Sequence, residues 1–200
     1  MSEPAFFDVV LRQRACRDFT DDPIPDADIE RILGAATHAP SGENTQPWVF
    51  VVVRDEDVRI RLVDLTRELW SKARDEAMSR LDARLAAEVD DGFQRGFGAA
   101  PVLVVVGADT TTGVHPRAMP SSIFPAVQNL LLAANALGYG SALTTLTAVV
   151  GDDLRDIVEL PAHVVPFAVI PLGRPARPLG RPRRRPAADT THRDRFGNAW

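Results

Sequence analysis

Residues 123–137 constrain this chain more than any other stretch. Ile123, Val127, Leu130, Leu131, Ala134 and Leu137 recur at helical spacing, and the positions between them are largely apolar too, so the helix is apolar almost all round. Such a helix belongs in the middle of a protein or against a partner. Gly138, Tyr139 and Gly140 then stop it, glycine being the residue that most easily takes the left-handed turn beyond a helix end.

The flanking pattern alternates helix and strand. Phe6, Val9 and Val10 mark a short helix over about 4–13, and Ile29, Ile32, Leu33 and Ala36 a second one after Pro25, with Asp26, Asp28 and Glu30 favoured by the helix dipole in its first turns. WVFVVV (48–53) and VLVVVG (102–107) are continuous apolar runs, the pattern of strands covered on both faces. Val58, Leu62, Leu65 and Leu69 begin a long amphipathic helix near Asp55, and Leu81, Leu85 and Val89 carry helical character towards Asp91. SALTTL (141–146) reads as a third short strand, Leu154, Ile157 and Val158 as a small helix, and VVPFAVIPLG (164–173) as a last strand broken by its prolines. Five prolines from Pro171 to Pro186 make the following arm extended and semi-rigid. The fold class is therefore mixed α and β, with no tight hairpin and no internal repeat.

Composition narrows what such a fold can be. At 200 residues, 45% hydrophobic and 25% charged, the chain suits one domain with one sizeable core. No apolar run approaches the roughly 20 residues that span a bilayer, and the opening MSEPAFFDVVLRQR lacks the order of a secretory signal, so no membrane role and a cytoplasmic location are expected. Cys16 is the only cysteine, and His38, His115, His163 and His192 show no metal-ligand spacing, so no disulfide framework or metal is expected. Residues 1–173 hold 15 basic and 25 acidic side chains, a charge of −10; residues 174–200 hold 8 and 2, a charge of +6. The arginine run in that tail has no interleaved aromatics and the acidic body would repel a polyanion, which argues against nucleic acid and for a local anion site. There is no GxGxxG after a first strand and no GxxxxGK[ST], so a nucleotide would have to be held another way.

Three segments could carry chemistry. Arg14 and Arg17, three apart, can converge on one phosphate group, or can simply pair with Asp18, Asp21 and Asp22 in a solvated loop. In APSGENTQPW, Asn44 and Gln46 carry donors and acceptors that match the edge of a heterocycle, although a Pro/Gly turn in which Asn44 satisfies its own backbone has the same composition. Arg183, Arg184 and Arg185 form a basic run that is ordinarily solvated surface.

The order RxxR, helix, APSGENTQPW, strand resembles the nitroreductase family of FMN-dependent NAD(P)H oxidoreductases. SIFPAVQNLLLAANALGYGSALTTL is similar to that family's central helix and glycine turn, and PLGRPA with RRRP to its closing segment, so the resemblance runs nearly end to end. It implies an α+β fold with a central mixed sheet flanked by helices. It also divides the chain into an FMN-binding body (1–173) and a Pro/Arg-rich arm (174–200) reaching onto the partner of a homodimer. It places Gln13, Arg14, Ala15, Arg17, Arg183 and Arg184 around the FMN phosphate, with Gln13 and Ala15 standing where arginine and serine are usual. Pro40, Ser41, Gly42, Asn44 and Gln46 would meet the ring or ribityl chain, and Thr144, Thr145 and Leu146 would present main-chain groups near flavin N5 and O4. The implied activity is ping-pong transfer of hydride equivalents from NADH or NADPH to a small organic acceptor such as a nitroaromatic or quinone, with the chemistry at the flavin and no catalytic triad. Flavin-fragmenting and dehalogenating relatives share the cofactor site, and a non-enzymatic flavin-storage role is the alternative outside enzymology.

Overall fold

A computed structural model describes residues 5–113, 115–146 and 151–200. The first helix, α1 (Phe6–Arg12), leaves only Val9 buried; the expected start at Pro4 lies outside the described residues. α2 (Asp26–Thr37) follows Pro25 and turns Ile29, Ile32 and Ala36 inward. β1 (Trp48–Val53) has the predicted bounds.

The long helical region divides in two. Asp55 caps α3 (Glu56–Ser79) by accepting from the Val58 amide, and Asp82 caps α4 (Ala83–Asp91) by accepting from the amides of Arg84 and Leu85. A π-helical segment, Gly92–Gly96, leads into a short turn, α5 (Phe97–Ala99). β2 (Val102–Asp109) is buried for all but its last residue.

The central helix, α6 (Met119–Ala136), buries eight residues, from Met119 to Ala134. At its end Gly138 adopts φ +84, which lets the Tyr139 amide reach the Ala134 carbonyl at 2.8 Å and the Gly138 amide reach that of Asn135 at 3.0 Å. This paired closure satisfies carbonyls the helix would otherwise leave open. β3 (Gly140–Ser141), α7 (Gly151–Ile157) and β4 (Val164–Gly173) complete the body.

The sheet order is β1-β2-β4-β3, and all three pairings are antiparallel. Among the described residues the mixed character expected of the sheet is confined to one isolated parallel bridge, Ala15 to Ser141. SALTTL is a strand only at its first residue, with a further bridge from Thr144 to Val169. β4 is not broken by its prolines: the register shifts by one between Val106 and Gly107, so Pro166 and Phe167 are absorbed in a bulge. In β1 the side chains alternate as expected between the two core clusters, Trp48, Phe50 and Val52 on one and Val49 and Val51 on the other. Yet only Val53 is buried, because β1 lies at the sheet edge.

The arm leaves β4 alongside residues 18–20, where the Thr20 amide donates to the Arg174 carbonyl and the Ala176 amide to that of Asp18. Leu179 packs on the second cluster, and beyond it nearly every residue is exposed.

Candidate functional site

The loop after α1 is seated by close packing. The Cys16 amide donates to the Ser141 carbonyl at 2.9 Å, which fixes the loop against β3. Cys16 is buried, its Sγ donates to the Asp18 carbonyl, and burial pushes the thiol up, so it is a packing residue and not a nucleophile. A side chain at Gly140 would bring its Cβ to 2.6 Å from Cys16 Sγ.

This seating aims the two arginines at α4. Arg14 Nη2 lies 3.0 Å from Glu88 Oε1, so the ion pair expected with loop acids is made instead with a residue 74 positions away. The aliphatic stem of Arg17 lies on Gly92, where an added Cβ would be 2.4 Å from Arg17 Cδ. Burial pushes the Arg17 guanidinium below the usual arginine range while the Glu88 carboxylate pulls it back up. Among the described residues Arg17 makes no hydrogen bond or ion pair of its own. Gln13 closes α1, its amide bonding to the Val9 carbonyl. Nothing in the sequence pointed to Glu88 or Gly92, because each matters only through the fold.

The second loop is seated at the other end of α6. The Gly42 amide donates to Ser122 Oγ at 3.1 Å, and the Gln46 amide to Ser41 Oγ at 3.0 Å. Glu43, Asn44 and Gln46 all have left-handed φ, between 50 and 56. Three non-glycine residues in that region within four positions is strained backbone of the kind that gathers at ligand sites. Pro40 is exposed and Pro47 buried, so the loop is anchored at its C-terminal end. The Asn44 carboxamide is exposed and does not bond its own backbone, while Gln46 Nε2 turns back to the Asn44 carbonyl at 3.5 Å.

The turn beyond β3 is partly committed to the sheet. Thr144 exchanges both main-chain bonds with Val169 and the Leu146 amide bonds Thr144 Oγ1, so Thr145 is left with unpaired main-chain groups among the described residues. In the arm Arg184 Nη1 donates to the Arg183 carbonyl, and among the described residues neither exposed side chain makes an ion pair.

The two loops are seated towards opposite ends of α6, through Ser122 and Ser141. α6 rises about 1.5 Å per residue, which puts Ser122 roughly 20 Å from the helix end that leads to Ser141. Two surface clefts, of about 340 and 390 Å³, lie along α3, α5 and the start of β2, and neither is lined by any of the predicted residues.

The profile of the Nitroreductase family matches residues 10–174. The chain belongs to the nitroreductase family. A relative from Archaeoglobus fulgidus, named as an NADH dehydrogenase/NAD(P)H nitroreductase, is 33% identical over 172 residues, covering 84% of this chain and 83% of its own length. Among solved structures, a nitroreductase from Desulfovibrio desulfuricans in complex with FMN is 28% identical with a TM-score of 0.74, covering 98% of this chain and 99% of that one. An iodotyrosine deiodinase bound to FMN and 3-iodo-L-tyrosine is 25% identical with a TM-score of 0.73, covering 91% and 96%. The nitroreductase fold is thus common to members with different named substrates. No helix among the described residues is long and apolar enough to cross a membrane.

Proposed function

We propose that this chain is an FMN-dependent oxidoreductase that takes reducing equivalents from NADH or NADPH and delivers them to a small organic acceptor, a nitroaromatic or quinone, in a ping-pong cycle. The observation that carries the reading is the separation of two prepared half-sites along α6. One half offers Arg17, a part-buried guanidinium that makes no hydrogen bond or ion pair among the described residues and feels the Glu88 charge at longer range; the other offers the exposed Asn44 amide on a strained loop. A phosphate fits the first and the edge of a heterocycle the second. The two loops are seated towards opposite ends of α6 within one chain, whereas two chains paired about a twofold axis can bring the loop at 13–17 of one to the loop at 40–46 of the other.

Exposed apolar surface supports that pairing. α1 exposes Phe6 at 67% and Phe7 at 75%, and the arm ends in Phe196 at 93% and Trp200 at 71%. Side chains of this size without cover on one chain fit a subunit interface and an arm that docks on the neighbour.

In this reading Arg14, Arg17, Arg183 and Arg184 hold the phosphate, with Gln13 and Ala15 lining the loop. Pro40, Ser41, Gly42, Asn44 and Gln46 orient the ring and ribityl chain, and the main-chain groups of Thr145, unpaired among the described residues, face its reactive edge together with Thr144 and Leu146. When bound, FMN supplies the two-electron redox chemistry. The side chains position donor and acceptor in turn and need not exchange protons as a triad would.

The test is direct. The purified protein should be a yellow dimer that releases FMN on heating and oxidises NADH or NADPH with menadione or a nitrofuran, giving parallel initial-rate plots. A colourless protein, or a stable active monomer of 21.8 kDa, would overturn the reading. Deiodination of 3-iodo-L-tyrosine without quinone reduction would replace the acceptor class.

A further inference from the structure

We propose that Glu88 is an internal occupant of the anion site, its carboxylate holding Arg14 where a phosphate would otherwise sit and having to leave, or be outcompeted, when the phosphate arrives. The inference deepens the functional reading above and rests on it. It is carried by three observations. Arg14 Nη2 contacts Glu88 Oε1 at 3.0 Å, with both side chains only about a quarter exposed (25% and 27%), so the pair is sheltered from solvent more than most surface ion pairs. Arg17 is held against Gly92, four residues further along the same helical run, and Glu88 is the acid whose charge acts on its guanidinium. Loop and α4 meet nowhere near each other in sequence, so this one acid faces both arginines because the fold puts it there.

The consequence follows from charge. Arg14 and Arg17 together with Glu88 carry a net +1, whereas the bare pair would carry +2 towards a phosphate bearing about −1.5 to −2. An acid facing the cations lowers their pull on an anion and adds like-charge repulsion to it. It also keeps two arginines from repelling each other while no ligand is present. Glu88 therefore trades cofactor affinity for order in the ligand-free loop.

Glu88→Gln keeps the shape and a weaker acceptor for Arg14 but removes the charge. FMN release from the full-length holoprotein on dilution, followed by recovery of flavin fluorescence, gives the apparent affinity. The variant should hold FMN about three- to tenfold more tightly than the parent. Protein reconstituted with riboflavin, which lacks the phosphate, should show no such gain, and the flavin-free variant should unfold at a lower temperature than the flavin-free parent. Unchanged or weaker FMN retention, or an equal gain for riboflavin, would overturn the proposal. Arg17→Glu in the same assay separates the two levels. If it loses FMN while Glu88→Gln changes nothing, only the role of Glu88 falls; if Arg17→Glu retains FMN as the parent does, the loop is not the phosphate site and both readings fall.

Discussion

At residues 13–17 the chain is pinned from outside: Ser141 takes the Cys16 amide, Gly140 receives the Cys16 side chain, and Gly92 receives the stem of Arg17. At residues 40–46 the anchors are two serine hydroxyls, and the loop's shape is written into its own backbone as three left-handed residues. The difference is one of mechanism. The first loop depends on the absence of a Cβ on its neighbours, so its fault lines lie in distant glycines. The second tolerates side chains where glycine would be easier, so its cost is local strain. Adding a methyl group near the first and removing one from the second should therefore have opposite signs.

The largest effect is expected at the charge the first loop presents. Arg17→Glu reverses a part-buried cation, and the cost in FMN affinity should be on the order of 2 to 5 kcal/mol, as for a broken desolvated charge pair. Flavin content of the purified variant is the measurement. A full complement of FMN would show that this loop, however well seated, binds something else.

Next comes the seat itself. Gly140→Ala places a methyl carbon at 2.6 Å from Cys16 Cβ and Sγ, both buried, and neither can swing away without moving the loop off Ser141. Overpacking of this kind costs about 1 to 3 kcal/mol. Thermal denaturation should report it, together with weaker FMN retention, because the arginines ride on the displaced loop. Unchanged stability would mean that the loop is not pinned there.

A smaller effect reaches the same loop through α4. Trp70 Nε1 and the Arg74 guanidinium grip Asp90, two residues before Gly92, and these hydrogen bonds, Arg74 foremost, hold the Asp90 carboxyl down to about 2. A carboxylate with a depressed folded pKa contributes stability that is present above its unfolded value near 3.8 and is lost as pH falls through that value towards 2. Melting temperature should therefore fall across that window in the parent, and less steeply in Asp90→Asn. Identical pH slopes would remove Asp90 from the account.

The same contrast explains what was legible in the sequence. Local chemistry was legible: the bounds of β1, the acid-rich start of α2 and the glycine stop of α6 follow from residues in place, as do the RxxR and APSGENTQPW loops. The break between α3 and α4 was not, because Leu81, Leu85 and Val89 keep helical spacing across the cap at Asp82. The prolines of β4 misled for a similar reason, since the bulge that accommodates Pro166 is a property of its pairing with β2. In the site, Glu88, Gly92 and Ser122 were illegible because their partners lie between 74 and 80 positions away. Asn44 was legible as a polar group but not as a strained one.

The smallest effect, and the one that most sharpens the contrast, is Glu43→Gly. Glu43 is exposed, makes no side-chain hydrogen bond or ion pair among the described residues, and sits at φ 52. A non-glycine residue in that region costs about 1 to 2 kcal/mol, and glycine returns roughly 0.5 to 1 of this as extra entropy of the unfolded chain. The net expectation is a gain of about 0.5 kcal/mol in stability. Asn44 and the two serine anchors are untouched, so flavin content should not change. A modest rise in melting temperature with full FMN would show that the second loop stores its strain in its own backbone. A fall would mean that Glu43 is held by a contact from a second subunit, and the loop would then be pinned from outside just as the first one is.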